Sequence, residues 1–351
     1  MVATRLIVGA ATVAISVAIL AGAGDRAPAH RITARFHSTP QTRLITRVEG
    51  FTPTPVRRVP VSAPPASLAW GYGALWALSG NDVLRIRTQP LRVRAFGAVS
   101  KPCENRQIAT GLGGVWFVSG NCSEPGTLSE LDPASGRVMW RVSMPTLLGG
   151  VAVPDHGDEL LVTALNGGTG YPAFLVSRRT HDVTALEGII DGPVGSGATT
   201  EGLSTVIDTP YGYWADSGGY GGVVRIVPEP PRLNAAAFYD NLEDVAVAFG
   251  HGAVWAGLGN QVLELDPDSG DEIGPRLAPP GVVTAVAYGA NGVWIATGLG
   301  RLYRFAPGDP SLELVARLPW AATSLAIGGG YVWASNVSSG AIERVGPLLP
   351  A

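Results

Sequence analysis

The sequence predicts an all-β fold, a seven-bladed β-propeller, from three observations: a recurring tryptophan, regularly spaced turn residues, and a final repeat that is one strand short. The tryptophans recur at intervals of 40, 98, 41, 39 and 39 residues, and the long interval corresponds to two periods. They are Trp76, Trp116, Trp214, Trp255, Trp294 and Trp333. Such a period is typical of small sheets that bury their faces only against their neighbours.

Each repeat is predicted to form four short antiparallel strands. In the repeat that begins near Asp244, HG separates the segments DVAVAFG and AVWAGLG, NQVLELD follows directly, and PDSG separates it from DEIGPRL. Alternating apolar positions between Gly-bearing turns are typical of antiparallel strands. The other repeats begin near Ser67, Gln107, Gly150, Glu201, Thr284 and Thr323. The repeat near Gly150 has Leu160-Leu161-Val162 where the others have tryptophan.

The last repeat supplies three strands, in SLAIGGG, YVWASNV and AIERVGP, and the segment VRRVPV at residues 56–61 is a strand without a partner of its own. Because a closed ring removes two open sheet edges, we expect this N-terminal strand to complete the last blade in a three-plus-one arrangement. A ring of six blades is the alternative if the repeat near Gly150 or Glu201 is not a blade.

Residues 1–29 are predicted to be a signal peptide or a membrane anchor with an apolar N-terminal helix. Arg5 precedes an apolar run from Leu6 to Ala23, and either Ala27-Pro28-Ala29 or Ala21-Gly22-Ala23 fits a cleavage site. The run is close to the minimum length that spans a bilayer, so both outcomes stay open. Residues 30–55 are expected to be a flexible spacer, and residues 56–351 to be the propeller. We therefore expect an exported protein, extracellular or at the cell surface, whose only membrane contact is the N-terminal segment.

The composition and the number of cysteines limit the kinds of partner and cofactor that we expect. The net charge is -3 and the chain has 15% charged residues, with Lys101 as the only lysine. Nucleic-acid binding normally requires a basic stripe, so we expect no nucleic-acid partner. Cys103 and Cys122 are the only cysteines, and in an exported chain two cysteines predict one disulfide. We predict no cofactor and no metal site.

The repeats also carry a family resemblance. The segments GLGGVWFVSG with LDPASGRVMW, and GHGAVWAGLG with LDPDSG, resemble repeats of secreted bacterial propellers of the streptogramin (virginiamycin B) lyase-like and quinoprotein-like (YVTN-type) superfamily. The likeness covers residues 67–346. It implies the propeller fold and two activities: opening of a cyclic depsipeptide by elimination with a His base, or redox chemistry with a bound quinone.

This sequence does not match, position by position, the residues that either activity requires. The histidines His156, His181 and His251 are predicted to lie in turns on the face opposite the mouth of the channel, where a base would not reach a ligand. Trp140, which resembles the tryptophan of the quinoprotein docking motif, has no counterpart in the other repeats. Asp132 and Asp266 are interpreted as turn residues that bind the following backbone.

We therefore predict a non-catalytic module that binds a ligand or a protein at the channel mouth, and we expect it to be a monomer. The alternatives are a lyase-like enzyme that uses carboxylates at the mouth and a quinone-binding redox propeller. The mouth is built from the loops that enter the first strand and those that join the second strand to the third, and these loops include Trp320 and Asn336. The predicted ligand-binding residues are Glu201, Asp216, Tyr220, Glu243, Asp244 and Arg106. Converging acids and an aromatic ring suit a small molecule, a glycan or a peptide.

Overall fold

The computed structural model describes residues 43–51, 54–97, 107–120, 125–155, 157–165, 172–186, 203–216, 222–229, 232–238, 245–290 and 292–348. Every regular element in these ranges is a β-strand, so the predicted all-β class is confirmed. The predicted signal or anchor segment with its helix, and both cysteines, lie outside the described residues. The part of the chain that the structure describes contains no helix that is long and apolar enough to cross a membrane.

The strands are numbered in chain order. Three strands precede the first repeat: β1 Leu44–Ile45, β2 Val48–Phe51 and β3 Val56–Pro60. Blade 1 contains β4 Pro65–Gly71, β5 Ala74–Ser79, β6 Asp82–Thr88 and β7 Leu91–Phe96. Blade 2 contains β8 Ile108–Gly111, β9 Gly114–Ser119, β10 Thr127–Leu131 and β11 Val138–Ser143. Blade 3 contains β12 Leu148–Ala152, β13 Glu159–Ala164, β14 Ala173–Ser177 and β15 Val183–Leu186.

The remaining strands form the other four blades. Blade 4 contains β16 Val206–Thr209, β17 Gly212–Asp216, β18 Val223–Glu229 and β19 Arg232–Phe238. Blade 5 contains β20 Val245–Gly250, β21 Ala253–Leu258, β22 Gln261–Leu265 and β23 Arg276–Leu277. Blade 6 contains β24 Val283–Gly289, β25 Gly292–Thr297, β26 Arg301–Phe305 and β27 Leu312–Arg317. Blade 7 contains β28 Ser324–Gly328, β29 Tyr331–Ser335 and β30 Ala341–Val345.

The blades form a closed ring of seven. In each blade the first strand of the repeat is innermost, and each strand pairs antiparallel with the next. The innermost strand of each blade contacts that of the following blade, and β28 of blade 7 contacts β4 of blade 1. The repeat near Gly150 forms a complete four-stranded sheet without a tryptophan, so the seven-bladed prediction is confirmed and the six-bladed alternative is wrong.

The N-terminal strand β3 closes blade 7 as predicted. It pairs antiparallel with β30, with Val56 opposite Val345 and Pro60 opposite Ala341. The side chain of Val59 is buried in the cluster that joins blade 7 to blade 1. The two chain ends therefore hold the ring together through main-chain hydrogen bonds and apolar burial.

The flexible spacer predicted for residues 30–55 is wrong for residues 44–51, which form strands of the propeller. Strand β1 pairs parallel with β23 as a fifth strand of blade 5, and β2 pairs parallel with β27 as a fifth strand of blade 6. Ile45 is buried in the core between these blades. We call residues 43–60 the strap, because the segment adds a strand to blades 5, 6 and 7 in succession. Burial of Ile45 and main-chain pairing with β23 and β27 hold β1 and β2 in place.

The repeated tryptophans pack between blades, as predicted. Trp255 of blade 5 lies in one buried cluster with Val293 and Ile295 of blade 6. Its indole Nε1 donates to the backbone oxygen of Gly250, five residues earlier, at 3.1 Å. The same bond recurs at Trp76, Trp116, Trp294 and Trp333. A large aromatic ring thus fills the wedge between sheets while its one polar atom stays paired.

The exception is Trp214, whose Nε1 donates to the backbone oxygen of Pro267 in blade 5 at 3.1 Å. In other blades the turn before the tryptophan has left-handed residues, such as Tyr72 and Gly73 with φ of 53° and 67°. Blade 4 has Pro210 at the first of these positions, and proline cannot adopt positive φ. A different turn therefore precedes this tryptophan, and its indole uses an acceptor in the next blade.

Candidate functional site at the channel mouth

The mouth face consists of the loops that enter each innermost strand and those that join the second strand to the third. Of the residues predicted to bind a ligand there, Asp216 is described, at the end of β17. Glu201, Tyr220, Glu243, Asp244 and Arg106 lie outside the described residues, as does the predicted Cys103–Cys122 pair. The convergence of these side chains therefore stays a prediction.

Asp216 has a structural role within blade 4. Its carboxylate accepts a hydrogen bond from the hydroxyl of Ser204. Its backbone oxygen accepts from the N–H of Ser204 at 3.0 Å, and its backbone N–H donates to Thr205 at 2.9 Å. The half-buried side chain thus fixes the loop that enters the innermost strand of this blade.

Gln107 links three blades at the inner end of the mouth. Its Nε2 donates to the backbone oxygen of Val206 in blade 4 at 2.8 Å. Its Oε1 accepts from the N–H of Val151 in blade 3 at 3.2 Å and from that of Val206 at 3.1 Å. A Cβ on Gly150 would lie 2.2 Å from this oxygen and 2.6 Å from the backbone oxygen of Ser204, so a larger residue would displace the backbone there. The sequence analysis missed this residue because its partner is 99 residues away.

Hydroxyl groups join further neighbouring blades at the same level. The innermost strand of a blade has backbone groups that no strand of its own sheet pairs, and side chains of the adjacent blade bind them. These bonds, donor first, are Leu68 N to Ser324 Oγ (3.2 Å), Ile108 N to Ser67 Oγ (3.3 Å), Thr163 Oγ1 to Ser204 O (2.8 Å) and Thr284 Oγ1 to Ala322 O (2.6 Å). The inner wall is therefore held by hydrogen bonds between blades.

An exposed apolar surface covers the mouth face of blades 6 and 7. Leu299, in the loop between β25 and β26, is 60% exposed, and Val282 and Val337 are 46% and 41% exposed. Trp320, in the loop between β27 and β28, is partly buried beside them. We call these four side chains and Asn336 the rim patch.

Several contacts place the loops of the rim patch next to one another. A Cβ on Gly281 would lie 3.0 Å from Cγ of Leu299, and one on Gly300 would lie 3.3 Å from the backbone oxygen of Trp320. Asn336 Nδ2 donates to the backbone oxygen of Ala321 at 2.5 Å, which brings the blade 7 loop against the same segment. The rim patch is therefore formed by neighbouring loops of two blades.

Three buried polar atoms at this mouth region have no hydrogen-bond partner among the described residues: Thr297 Oγ1, Trp320 Nε1 and Ser335 Oγ. The corresponding hydroxyl of blade 1, Ser79 Oγ, donates to the backbone oxygen of Ala63. An unpaired buried polar group costs about 1–3 kcal/mol. In blades 6 and 7 these groups therefore lack the hydrogen-bond partner that the corresponding hydroxyl of blade 1 has.

The two faces of blades 5 to 7 differ in charge. The described mouth segments 257–261, 277–284, 297–302, 316–324 and 335–341 contain Arg301 and Arg317 and no acidic residue. The loop that enters blade 5, which contains Asp240, Glu243 and Asp244, lies outside the described residues. The opposite face carries Asp266, Asp268, Asp271, Glu272 and Asp309 in its turns. Backbone N–H groups of Ser269 and Asp268 hold the pKa of Asp266 below its usual range, as expected for a turn aspartate. The described mouth segments of these blades are therefore cationic and apolar.

The face opposite the mouth has a row of charged side chains on the third strands. In each blade that has the recurrent tryptophan, a charged residue lies directly opposite it: Arg85, Glu130, Arg225, Glu264, Arg304 and Arg344. Glu130 pairs with Arg178 of blade 3 at 3.3 Å, and Arg225 pairs with Asp268 of blade 5 at 2.6 Å. These ion pairs join adjacent blades, so the row stabilises the ring.

The two described histidines of the propeller lie on this opposite face, as predicted. His181, between β14 and β15, stacks on Trp140 of blade 2 with the ring centroids 4.6 Å apart. His251 lies in the turn between β20 and β21, near Glu264, whose pKa burial raises while His251 opposes the shift. His156 lies outside the described residues. Within the described ranges, no group of three or more His, Cys, Asp or Glu side chains could hold a metal ion.

Comparison with known proteins identifies the fold. No protein-family model matches the sequence, and no curated protein matches it significantly. The WD40 domain of Pan2 from Neurospora crassa is similar in structure, with a TM-score of 0.61 and 13% identity over 82% of this chain and 90% of that chain. A chain of the mitotic checkpoint complex has a TM-score of 0.61 and 13% identity, over 92% of this chain and 98% of that chain. U3-55K has a TM-score of 0.60 and 13% identity over 83% and 98%. The chain is a seven-bladed β-propeller with WD40 structural neighbours.

Proposed function

We propose that this chain is an exported, non-catalytic propeller that binds a protein partner through the mouth face of blades 6 and 7. The rim patch carries the proposal, because exposed apolar side chains next to a partly buried tryptophan are typical of protein-binding surfaces. One structural neighbour is a chain of an assembly, the mitotic checkpoint complex. A propeller that binds proteins is consistent with this fold.

The rigidity of the mouth supports the same function. Gln107 and the hydroxyl bonds between blades fix the inner wall, so little conformational entropy is lost when a partner binds.

The proposal includes export and a bacterial, secreted origin, which rest on the N-terminal sequence pattern and on the repeat resemblance. Fractionation of the host and N-terminal sequencing of the purified protein test both parts. A mature protein that begins near residue 24 or 30 supports cleavage, whereas an intact N-terminus in the membrane fraction supports an anchor. An intact chain in the cytoplasm contradicts export.

Quantitative co-purification tests the binding function. Full chain carrying Leu299→Glu and Val337→Glu is compared with wild type and with a control, Val93→Glu, on the outer edge of blade 1, where the side chain is also exposed. We expect one or more proteins to purify in constant ratio with wild type and with the control and to be lost from the double variant. Equal recovery with all three proteins would contradict binding at the rim patch.

A further inference from the structure

The outer part of blade 1 has four arginines on one face of two neighbouring strands. Arg85 of β6 lies directly opposite Arg94 of β7, and Arg87 lies directly opposite Arg92. Side chains alternate along a strand and cross-strand partners share a face, so all four lie on one side of the sheet. Val83, two residues before Arg85 on the same side, packs in the cluster that joins blade 1 to blade 2. We call the four arginines the arginine block.

The arginine block is a concentration of positive charge without an ion pair. The ion pairs of the described residues involve other arginines. Burial, and then the charges of Arg87 and Arg94, lower the pKa of Arg85 from its ordinary value. Like charges directly opposite each other are destabilising in a sheet. An anion that binds the arginine block therefore relieves repulsion within blade 1.

The acidic residues described near the arginine block are directed elsewhere. Asp82 is the acidic residue in the described part of blade 1, and it alternates onto the other face of β6, toward blade 7. Asp132 lies in the turn of blade 2 whose Ala134 oxygen accepts a hydrogen bond from Arg85 at 3.3 Å, but its carboxylate binds backbone N–H groups of its own turn. The loops 98–106 and 121–124, which contain Glu104 and Glu124, lie outside the described residues.

Strand β7 is also an open sheet edge. It is the last strand of blade 1 among the described residues, and its residues 91–95 are exposed. The fourth strands of blades 5 and 6 hold the same position in their sheets, and each pairs with a strand of the strap. The molecule therefore already shows that a blade of this ring accepts a fifth strand at its outer edge.

We propose that β7 binds an extended segment of a second protein, with carboxylates at alternate positions, as a fifth strand of blade 1. The main chain of the segment pairs with the edge of β7, as in other complexes formed by strand addition. Its carboxylates lie beside Arg92 and Arg94, because residues two apart in neighbouring strands keep the same spacing and the same face. This surface is separate from the rim patch, so the inference goes beyond the proposed function.

Other occupants fit this edge less well. Residues 1–42 of this chain contain four arginines and one acidic residue, Asp25, so the arginine block repels them. A second copy of β7 would set arginines against arginines, which disfavours pairing between edges. A phosphate polymer or a lipid headgroup matches the charge but has no peptide groups to pair with an open strand.

A labelled synthetic peptide tests the proposal, by fluorescence anisotropy with the full chain. In the test peptide Glu alternates with Thr, which favours extended structure. The control peptide has the same composition with Glu and Thr in successive pairs, so half of its carboxylates face away from the arginines in any register. We expect the alternating peptide to bind saturably and the control peptide to bind about tenfold more weakly. The affinity should fall as the salt concentration rises.

The two faces of β7 provide matched variants of the protein. The double variants Arg92→Gln, Arg94→Gln and Leu91→Glu, Val93→Glu make the same change in net charge at neighbouring exposed positions. Since only the first alters the arginine block, we expect it to lose about tenfold in affinity for the alternating peptide and the second to stay close to wild type.

Reversal of the charge distinguishes recognition from a general loss of structure. The double variant Arg92→Glu, Arg94→Glu should bind a peptide in which Lys alternates with Thr in preference to the Glu peptide. It should also melt higher than wild type, because each new carboxylate lies opposite an arginine of β6.

N-methylation of the peptide tests the main-chain pairing. One form carries N-methyl groups on every Glu and another on every Thr, and in an extended segment only one of these sets of N–H groups faces β7. We expect one form to lose binding and the other to retain it.

Four outcomes overturn the proposal: no binding of the alternating peptide to wild type, equal affinities of the alternating and control peptides, equal affinities of the two double variants on the two faces of β7, or equal effects of the two methylations. None of these variants changes a residue of the rim patch, so the co-purification experiment decides the proposed function separately.

Discussion

The outer edges of blades 5 and 6 differ from those of blades 1 to 3. In blades 5 and 6 the fourth strand is covered by a parallel strand of the strap, and Leu277 and Leu312 are fully buried. In blades 1 and 2 the fourth strand is the edge, and Val93 and Met139 are 43% and 63% exposed. The repeat pattern builds the same four strands in blades 1 to 6, whereas among the described residues the strap decides that the edges of blades 5 and 6 are covered.

The uncovered edges carry their own protection against pairing with other chains. Strand β7 has arginines at alternate positions, Arg92 and Arg94, and β11 has Arg141. Charged side chains on an edge strand disfavour edge-to-edge association. The sheet edges of blades 5 and 6 are therefore protected by added strands, and those of blades 1 and 2 by charged side chains. Four experiments test this contrast.

The largest effect is expected from deletion of residues 1–61, which removes the whole strap. Loss of β3 exposes the edge of β30 and opens the ring, so we expect aggregation and no cooperative unfolding. Deletion of residues 1–42, which retains β1 to β3, is the control and should give a monomer with a single melting transition. Size-exclusion chromatography and thermal circular dichroism measure both. Equal behaviour of the two proteins would show that the strap does not hold the ring closed.

The next effect is expected from Ile45→Ala, which removes a buried side chain of the strap. Truncation of a buried isoleucine costs about 2–5 kcal/mol. We expect about 2 kcal/mol, because the two-residue strand β1 can detach locally instead of leaving a cavity. The neighbouring Leu44→Ala, whose side chain is 49% exposed, should cost less than about 0.5 kcal/mol. Denaturant unfolding measures the free energy of unfolding of both variants. Equal losses of stability would show that the strap lies outside the core.

A smaller effect, of opposite sign, is expected from Glu343→Gln at the β3–β30 seam. Burial raises the pKa of Glu343 from its ordinary value of 4.5, and Arg58 opposes the shift. The folded state therefore binds this proton more tightly than the unfolded state. The stability from this group is present below about pH 4.5 and is lost as pH rises through the folded pKa.

We therefore expect Glu343→Gln to melt higher than wild type at pH 7, on the order of 2 °C, and to match wild type below pH 4. The exposed Glu159→Gln serves as the control for the substitution itself. A variant that is less stable at pH 7 would show that the Arg58 interaction outweighs burial.

The smallest effect is expected from Met139→Lys on the uncovered edge of blade 2. Because this side chain is exposed, the free energy of unfolding should change by less than about 0.5 kcal/mol. Chemical denaturation measures the change. A loss above about 1 kcal/mol would mean that another segment covers this edge as the strap covers blades 5 and 6.

The fold was largely predictable because each blade repeats a local pattern. The tryptophan, the turn glycines and the Asp132 and Asp266 turns depend on residues close in sequence, and each was predicted in its observed place. The strap was not predicted, since β1 and β2 are short and gain stability only from strands more than 230 residues away. The acidic mouth residues predicted from sequence stay untested apart from Asp216, whose carboxylate binds Ser204.

The rim patch was likewise predictable from sequence only in part. Trp320 and Asn336 were assigned to the mouth from strand order alone, but their adjacency to Leu299 and Val282 follows from loops of different blades. Hydrophobicity at isolated loop positions gives no signal of a shared surface. Only the packed ring brings these side chains together.

The sequence by itself determined the number of blades, the position of each strand and the identity of the closing strand, because short-range periodicity and turn chemistry specify a repeated sheet. The tertiary structure decided which edges the N-terminal segment covers, how Gln107 links three blades and where exposed apolar and cationic groups meet. Those features depend on contacts between distant parts of the chain, which no local pattern encodes.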